Sequence, residues 1–310
     1  MPAPTPPDGL VVAPEVAEAL ATGAPVVALE STLISHGLPR PDNREIAVRI
    51  EDTVRAAGAV PATIAVVDGE ARIGLDAAAL DVISTSDDVA KVSPRDLGVV
   101  AARGGHGATT VAATAHLAAR AGITLFATGG LGGVHRDASR TWDESADLPV
   151  LARTPITVVC AGVKSILDVA ATLERMETLG IGVVGYGTSR FPAFYRPDSG
   201  FDLEWRCDTP EEVAAVMAAR TALGTDDAAL VVANPVREDE ALPQEMHDRV
   251  LGEGLDLAAR TDVRGKDVTP FLLAYFHQAT AGASLEVNVD LVLANATLAA
   301  QIAAARVAGA

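Results

Sequence analysis

The chain of 310 residues contains little lysine, little cysteine and few aromatic residues, and its acidic side chains outnumber its basic ones. Forty-one Asp and Glu stand against 24 Lys and Arg, which gives a formal net charge of −17 at pH 7. Nucleic-acid binding requires a basic surface, so we expect no nucleic-acid partner. The two cysteines, Cys160 and Cys207, show no metal-ligand spacing. This excludes disulfide-stabilised and zinc-finger folds, and we expect reduced thiols in a cytoplasmic protein.

Long apolar runs are also lacking. Stretches such as residues 156–163 are much shorter than the roughly 20 residues that cross a bilayer. Residues 1–13 do not place an apolar region after a basic one, so they predict a short disordered lead rather than a signal peptide. Because 49% of the residues are hydrophobic, the chain after this lead can bury a core. We therefore expect a folded protein with no membrane partner.

Short apolar runs alternate with longer segments of helical period, which is typical of an α/β fold with a largely parallel sheet. The pattern predicts strands over residues 26–29, 63–67, 89–92, 123–127, 157–160, 183–186 and 230–233. It predicts helices over residues 44–57, 108–121, 165–179, 210–222, 243–259 and 285–307. No linker divides the chain, so a single domain is expected over residues 14–310.

Glycines cluster at two points where predicted strands end, in residues 103–110 and 128–135. At the carboxyl ends of parallel strands, glycine lets the backbone approach an anion closely, which suggests a phosphorylated ligand. Tight turns between strands and helices explain the same glycines equally well. Neither loop has the acidic partner of a dinucleotide-binding fingerprint.

The three lysines are Lys91, Lys164 and Lys266, whereas the other 21 basic residues are arginine. A lysine amine can lose its proton and form a Schiff base, which a guanidinium cannot do. Lys164 follows a predicted strand and precedes Ser165 and Asp168, whose spacing suits a capping box. We therefore expect a helix N-terminus beside this amine, which would favour its neutral form. Lys91 ends another strand and suits a phosphate or a sugar hydroxyl, and Lys266 is the weakest candidate.

Several acidic and imidazole side chains have two interpretations. Glu30 directly follows the first strand. If its carboxyl group is partly desolvated, its pKa would be raised and it could donate a proton. A role as a helix cap or in an ion pair explains its position equally well. Asp143 and Asp147 would share a face if the segment between them were helical, and could then hold Mg²⁺ or Mn²⁺. Capping and solvated acids explain this spacing nearly as well. His36 or His106 could line a pocket.

Five segments together resemble the pseudouridine-5′-phosphate glycosidases, a family also called indigoidine synthase A-like. They are residues 26–32, 107–112, 126–135, 159–165 and 269–273. The resemblance extends in order from about residue 14 to residue 305. It implies a single α/β/α domain with a central mixed, largely parallel sheet, a homotrimer, and a divalent cation, Mn²⁺ or another such as Mg²⁺.

The resemblance also implies a reaction, the reversible cleavage of pseudouridine 5′-phosphate to uracil and ribose 5-phosphate through ring opening and a lysine Schiff base. By motif, Glu30 would be the proton donor, Lys164 the nucleophile and Asp143 the metal ligand. Substrate would be bound by Lys91, Val111, Thr128, His135, Ser145, Ala146, Asp147 and Asn288.

Without the resemblance, the residues leave other functions open. A Schiff-base aldolase acting on a phosphorylated sugar would use the same lysine chemistry. A non-catalytic sugar-phosphate sensor would use the same glycine loops. The presence of both Lys164 and Glu30 favours an enzyme, because a binding protein needs no amine placed to become neutral.

Overall fold

A central mixed sheet organises the chain in the computed structural model, which describes residues 9–309 except for the side chain of Lys266. Within those residues the sheet has eleven strands. The strands are β1 (Leu10–Val12), β2 (Val26–Leu29), β3 (Val60–Val67), β4 (Glu70–Ile73), β5 (Val89–Val92), β6 (His106–Thr109), β7 (Leu125–Ala127), β8 (Thr157–Cys160), β9 (Gly182–Tyr186), β10 (Arg206–Cys207) and β11 (Leu230–Ala233).

Helices flank this sheet. They are α1 (Pro14–Thr22), α2 (Asp42–Ala56), α3 (Ala77–Thr85), α4 (Pro94–Ala102), α5 (Val111–Arg120), α6 (Ala138–Thr141), α7 (Asp147–Leu151), α8 (Val169–Thr178), α9 (Pro210–Leu223), α10 (Gln244–Arg260), α11 (Val268–Ala279) and α12 (Ala283–Ala308). A π-helical turn covers Leu33–Gly37, and a 3₁₀ turn covers Gly265–Asp267.

The strand order is β1-β4-β3-β2-β7-β8-β11-β9-β10, and β6 joins β3 to β5. All pairs are parallel except those that β3 forms with β4 and β6. The first half of β3 pairs with β2, whereas its second half, from Ile64, pairs with β4 and β6. Because β6 runs against β3, the carboxyl end of β6 lies close to the carboxyl end of β2.

The middle strands are buried on both sides. Every residue of β2, β7, β8 and β11 is buried. A strand buried at successive positions must be covered on both faces, so these apolar runs require a helical layer on each side of the sheet. Helix α12 packs against β2, β7 and β8, while α5 packs against β2 and β3. The predicted α/β/α architecture with a mixed, largely parallel sheet is confirmed.

Helix α12 has the length and composition to cross a membrane, so the expectation that no apolar segment is long enough was wrong. Half of its most apolar window is buried inside the protein. It also packs against α2 and α9 as well as the sheet. Core packing therefore accounts for its apolar character.

The predicted strands over residues 26–29, 89–92, 157–160 and 230–233 are confirmed at both ends. The edge strands β1 and β10, and β4 beside β1, were missed because they are short and partly exposed, so their apolar pattern is weak. Strand β1 lies inside the predicted disordered lead, of which residues 1–8 fall outside the described part of the chain. Strand β6 was missed because its glycine suggested a loop.

Candidate active site

A cavity of about 330 Å³ opens where the carboxyl ends of β2, β7 and β8 meet the N-terminal ends of α4 and α5. It brings together ten of the eleven site residues that the sequence analysis named. They are Glu30, Lys91, Val111, His135, Asp143, Ser145, Ala146, Asp147, Lys164 and Asn288. The eleventh, Thr128, is buried and contacts Glu30.

Glu30 follows β2, and Thr128 follows the neighbouring strand β7, so the two side chains emerge side by side. The Thr128 hydroxyl donates a hydrogen bond to the Glu30 carboxyl group. Burial raises the pKa of Glu30, while the charge of Lys164 and the Thr128 hydrogen bond oppose that rise. The raised pKa expected from the position of Glu30 is thus present, and the carboxyl keeps its proton to higher pH than a solvated glutamate.

Two buried hydroxyls connect the Glu30 loop to the end of β6. Ser31 Oγ donates to the Ile64 carbonyl oxygen over 2.6 Å, and the Thr109 backbone N–H donates to Ser31 Oγ over 2.8 Å. Thr109 Oγ1 also donates to the Ile64 carbonyl oxygen, over 2.6 Å. All three residues lie where β3 changes partners. These bonds fix Glu30 relative to the start of α5, a connection that the sequence analysis missed because β6 was taken for a loop.

Lys164 lies in an irregular turn after β8. Its backbone N–H donates to the Leu131 carbonyl oxygen over 3.1 Å, and Leu131 N–H donates to the Gly162 carbonyl oxygen over 2.9 Å. Gly162 has a φ of 79°, and a Cβ there would lie 2.2 Å from the Pro192 carbonyl oxygen, so only glycine fits. The turn therefore holds Lys164 against the second glycine loop.

The predicted capping box at Ser165 was wrong. Helix α8 begins at Val169, and Asp168 itself is the N-cap, accepting a hydrogen bond from Ala171 N–H over 3.0 Å. The helix therefore starts four residues later than predicted, and Lys164 precedes it by a turn of irregular chain. The case for Lys164 rests instead on its place in the cavity, where its charge acts on Glu30.

One end of the cavity is suited to an anion. Ser93 and Thr110 are the N-cap residues of α4 and α5, and their hydroxyl oxygens lie 3.3 Å apart. Lys91 and Arg95 line the same end. Burial and the charge of Lys164 lower the pKa of Lys91. Helix N-termini and basic side chains are groups that attract a phosphate.

The two glycine loops differ in role. Gly129, Gly130 and Gly132 of the second loop line the cavity. In the first loop only Thr110 does so, and a Cβ on Gly107 would lie 2.8 Å from a Val92 methyl group. The glycines of the first loop therefore serve turns and strand packing, and the suggestion that they hold a ligand is wrong.

Asp147 is a structural brace within the site. Its Oδ1 accepts from Ala112 N–H over 2.9 Å, and its Oδ2 accepts from Gly132 N–H over 2.8 Å. A Cβ on Gly132 would lie 2.2 Å from Ser145 Oγ, so the loop packs directly on this segment. The carboxylate ties the first turn of α5 to the second glycine loop, and the Asp147 side chain is almost fully buried.

Asp143 does not share a helical face with Asp147, because α7 begins only at Asp147. Its Oδ2 lies 3.8 Å from Nδ1 of His135, and burial lowers the pKa of His135 while Asp143 opposes that effect. Over the described part of the chain, no Lys or Arg pairs with Asp143, and no three His, Cys, Asp or Glu side chains form a metal cluster. A hard cation held by one carboxylate and waters fits this donor set.

Other residues of the cavity, except His36, had no recognisable signal in the sequence. Leu33 and His36 reach it from the π-helical turn, Phe194 from a long loop and Leu273 from α11. Because these residues are far apart in the sequence, their proximity in the structure could not be predicted. His36 was named as a possible pocket residue and is one. His106 is not; it accepts a hydrogen bond from the Asp68 backbone N–H.

Both cysteines are buried and unpaired, as expected. Burial raises the pKa of Cys160, which lies in β8, to about 12. A thiol with that pKa carries almost no thiolate at neutral pH, so Cys160 is not a nucleophile. The amines that line the cavity are those of Lys91 and Lys164.

The chain is similar to proteins of one family over nearly its full length. Residues 15–305 match the family described as "Indigoidine synthase A like protein". A Salinispora tropica protein named pseudouridine-5′-phosphate glycosidase is 64% identical over 294 residues, covering 95% of this chain and 91% of that protein. A Frankia alni protein of the same name is 60% identical over 296 residues, covering 96% and 82%.

Two solved structures have the same fold. The prealnumycin C-glycosynthase AlnA, in complex with ribulose 5-phosphate, superposes with a TM-score of 0.90 at 36% identity, over 98% of this chain and 99% of that one. An indigoidine synthase A-like protein from Thermotoga maritima superposes with a TM-score of 0.84 at 37% identity, over 91% and 93%.

Proposed function

The chain belongs to the indigoidine synthase A-like family, and on that basis we propose that it is a pseudouridine-5′-phosphate glycosidase. The enzyme cleaves the C–C bond of pseudouridine 5′-phosphate reversibly, giving uracil and ribose 5-phosphate. Relatives with 64% and 60% identity carry this name. The observation that carries the assignment is that Glu30 and Lys164 share one cavity with the anion site beside Lys91.

The bond to be broken explains why the site needs both a lysine and an acid. Most glycosidases protonate a leaving oxygen, but the leaving atom here is carbon C5 of uracil. Glu30 donates its proton to the ribose ring oxygen, and the Lys164 amine forms a bond to C1′ as the C1′–O bond breaks. The sugar is then open and covalently attached.

Cleavage of the C–C bond follows from this attachment. The Glu30 carboxylate takes the proton that the newly bonded nitrogen loses and passes it to C5 of uracil. The C1′–C5 electron pair then restores the C5–C6 double bond, and the nitrogen lone pair forms a protonated C1′=N imine. Water hydrolyses the imine, releasing ribose 5-phosphate and the free amine. The covalent intermediate divides one difficult step into easier ones.

We propose that the phosphate group of the substrate binds at the N-terminal ends of α4 and α5. Lys91 and Arg95 supply positive charge, and Ser93 and Thr110 supply hydroxyl donors. Binding energy from this remote group positions C1′ between Glu30 and Lys164. In a chain with a net charge of −17, such a local site is what allows a phosphorylated substrate to bind.

Asp143 is the proposed ligand of Mn²⁺ or Mg²⁺, with waters completing the coordination shell. The bound cation supplies positive charge near the oxygen atoms of the substrate. The chain's own residues perform the other tasks. Ser145 and Ala146 contribute to the wall that places the substrate, while Asp147 holds that wall against α5. Asn288 also lines the cavity, from α12.

The two other functions left open by the residues alone are less well supported. An aldolase or a sugar-phosphate sensor would share the lysine or the anion site, but the similar proteins are named as glycosidases or, for AlnA, as a C-glycosynthase. Formation of a C-glycoside is the reverse of the reaction proposed here, so both names concern the same kind of bond. We further propose that the enzyme is a cytoplasmic homotrimer.

Incubation of the protein with pseudouridine 5′-phosphate and Mn²⁺ tests this function. Uracil and ribose 5-phosphate should appear in equal amounts, and the reverse reaction should consume them. An aldolase or a sensor would release no uracil. A Lys164→Arg variant provides the control for contaminating activity, because it should release none.

A further inference from the structure

Helix α12 carries two buried asparagines on the face that packs against the strand ends. Asn288 and Asn295 are separated by about two helical turns, so they lie on one face of the helix. Asn288 lines the active-site cavity, whereas Asn295 is fully buried and does not line it. The other buried residues of this face are mostly apolar. A buried amide is costly unless it is hydrogen-bonded, so the partners of Asn295 explain its presence.

Both ends of the Asn295 amide are hydrogen-bonded. Its Nδ2 donates to the Thr128 carbonyl oxygen over 2.8 Å and lies 3.5 Å from the Gly129 carbonyl oxygen. Its Oδ1 accepts from Asn234 Nδ2 over 2.9 Å. A backbone carbonyl oxygen can only accept a hydrogen bond, so the NH₂ group must face the second glycine loop and the amide oxygen must face Asn234.

Thr128 is consequently held through its backbone as well as its side chain. Its N–H donates to the Val159 carbonyl oxygen over 3.0 Å, and its carbonyl oxygen accepts from Asn295. Its hydroxyl donates to the Glu30 carboxyl group. Because the hydroxyl belongs to the residue whose carbonyl Asn295 binds, the amide fixes the position from which this hydroxyl reaches Glu30.

The second glycine loop lies very close to α12 at this point. A Cβ on Gly129 would lie 3.1 Å from a Val292 methyl group and 3.4 Å from Asn288 Oδ1. Val292 lies between the two asparagines along the helix. The absence of a side chain at Gly129 thus lets the loop backbone come within reach of the Asn295 amide.

Asn234 joins two further strand ends to this contact. It directly follows β11, and its backbone N–H donates to the carbonyl oxygen of Cys160, the last residue of β8, over 2.8 Å. The turn after β8 leads to Lys164. The amide pair of Asn234 and Asn295 therefore connects the strand end that leads to the nucleophile with the residue that binds the proton donor.

We propose that Asn295 is a positioning residue for the proton donor, because it holds Thr128 where the Thr128 hydroxyl meets Glu30. This inference rests on the function proposed above and adds a residue to it. Asn295 does not contact the substrate and acts through Thr128. An apolar side chain would serve the packing of α12 alone, so it is the contact with the loop carbonyl that requires the amide.

Asn295→Ala tests this role in the steady-state kinetics of uracil release. The variant should lower kcat about tenfold, because the Glu30 carboxyl group is no longer oriented. The KM for pseudouridine 5′-phosphate should stay unchanged, since the phosphate end of the cavity is not altered. The falling limb of the pH–rate profile should move to higher pH, because the Thr128 hydroxyl stabilises the Glu30 carboxylate less well. The charged groups that act on Glu30 remain in place: Lys164, Asp147 and Lys91.

Combination with Thr128→Val separates positioning from a general loosening of the protein. If Asn295 acts only through the Thr128 hydroxyl, adding Asn295→Ala to Thr128→Val should change neither kcat nor the pH profile further. A further loss of about tenfold in the double variant would show another route and would overturn the proposal.

Ile302→Ala is the matched control for lost stability. Ile302 is also fully buried on α12, about two turns beyond Asn295 and farther from Asn288. This variant should lower Tm but leave the pH–rate profile in place. A shift of the falling limb as large as that in Asn295→Ala would assign the effect to stability and would also overturn the proposal.

Asn234→Ala is a milder variant that keeps the test valid if Asn295→Ala does not fold. Asn234 is half-buried, and its loss leaves the bond from Asn295 to Thr128 in place but unsupported. It should lower kcat about threefold and shift the falling limb in the same direction; an unchanged profile would contradict the proposal. If the wild-type protein releases no uracil, the proposed function fails and this inference with it. Uracil release that is equal in the wild-type protein and in Asn295→Ala rejects the role of Asn295 alone.

Discussion

The Thr128 hydroxyl donates a hydrogen bond to the Glu30 carboxyl group across the boundary between β7 and β2. This contact orients the proposed proton donor and stabilises its ionised form, thereby opposing the effect of burial on its pKa. The pair shows how the fold sets the chemistry: two neighbouring parallel strands end together, and their next residues become partners.

Replacement of Thr128 by valine should lower kcat about tenfold and move the falling limb of the pH–rate profile to higher pH. The physical reason is that the hydrogen bond lowers the pKa of Glu30, so its loss lets the pKa rise further. Thr128→Ser restores the hydroxyl and should restore the profile. A falling limb that stays in place in Thr128→Val would show that Glu30 is not the group that titrates.

Glu30→Gln should abolish activity and increase stability at neutral pH. The folded protein binds the Glu30 proton more tightly than the unfolded chain, so stability falls as pH rises from the unfolded pKa through the folded one. Removal of the acid removes that loss. The gain in Tm over the wild-type protein should therefore be greater at pH 8 than at pH 5.

Glu51→Gln is the matched control for this experiment. Burial also raises the pKa of Glu51, which lies on α2 and does not line the active-site cavity. The Glu51 variant should show the same direction of pH-dependent stability change but keep its activity. Loss of activity in both variants would mean that the effect of Glu30→Gln is structural.

Replacement by asparagine should affect different properties at Asp147 and Asp143: stability at the first and activity at the second. Asp147→Asn puts an amide group against a backbone N–H, and it should destabilise the protein by about 2 kcal/mol. Asp143→Asn breaks no backbone hydrogen bond and should change stability by less than about 0.5 kcal/mol, yet remove most activity by weakening the metal site. Urea unfolding and activity under Mn²⁺ titration measure the two effects. Normal activity of Asp143→Asn would reject the metal assignment.

Lys91→Gln should reduce kcat/KM for pseudouridine 5′-phosphate about 10- to 100-fold, which is the usual effect of losing one charge-assisted hydrogen bond. With pseudouridine, which has no phosphate, the wild-type enzyme should be slow and the substitution should change little. The comparison of the four rates isolates the contact between Lys91 and the phosphate. An equal loss of kcat/KM on both substrates would mean that Lys91 contacts a part of the substrate other than its phosphate.

Prediction from the sequence succeeded where local chemistry determines the structure. The apolar runs of β2 and β8 identify buried strands, so Glu30 and Lys164 could be placed at strand ends from the sequence alone. The sequence analysis failed where long-range pairing decides. Residues 106–109 form a strand only because β3 and β5 flank them, and their glycine alone suggests a loop.

Helix ends near the site were also misjudged, for a physical reason. Both Ser165 and Asp168 can cap a helix, and only the packing of Lys164 and its neighbours against the second glycine loop shows that Asp168 does so. In the same way, the spacing of Asp143 and Asp147 could not reveal that the Asp147 carboxylate is bound by two backbone N–H groups, one from the first turn of α5 and one from the second glycine loop.

Trapping of the covalent intermediate tests the central claim most directly. Borohydride added during turnover with ribose 5-phosphate and uracil should reduce the imine, leaving a stable ribityl-phosphate group on the peptide that contains Lys164. Lys164→Arg should keep the positive charge but form no adduct and show no turnover. An adduct on Lys91 or Lys266, or substantial activity in Lys164→Arg, would contradict the assignment of Lys164 as the nucleophile.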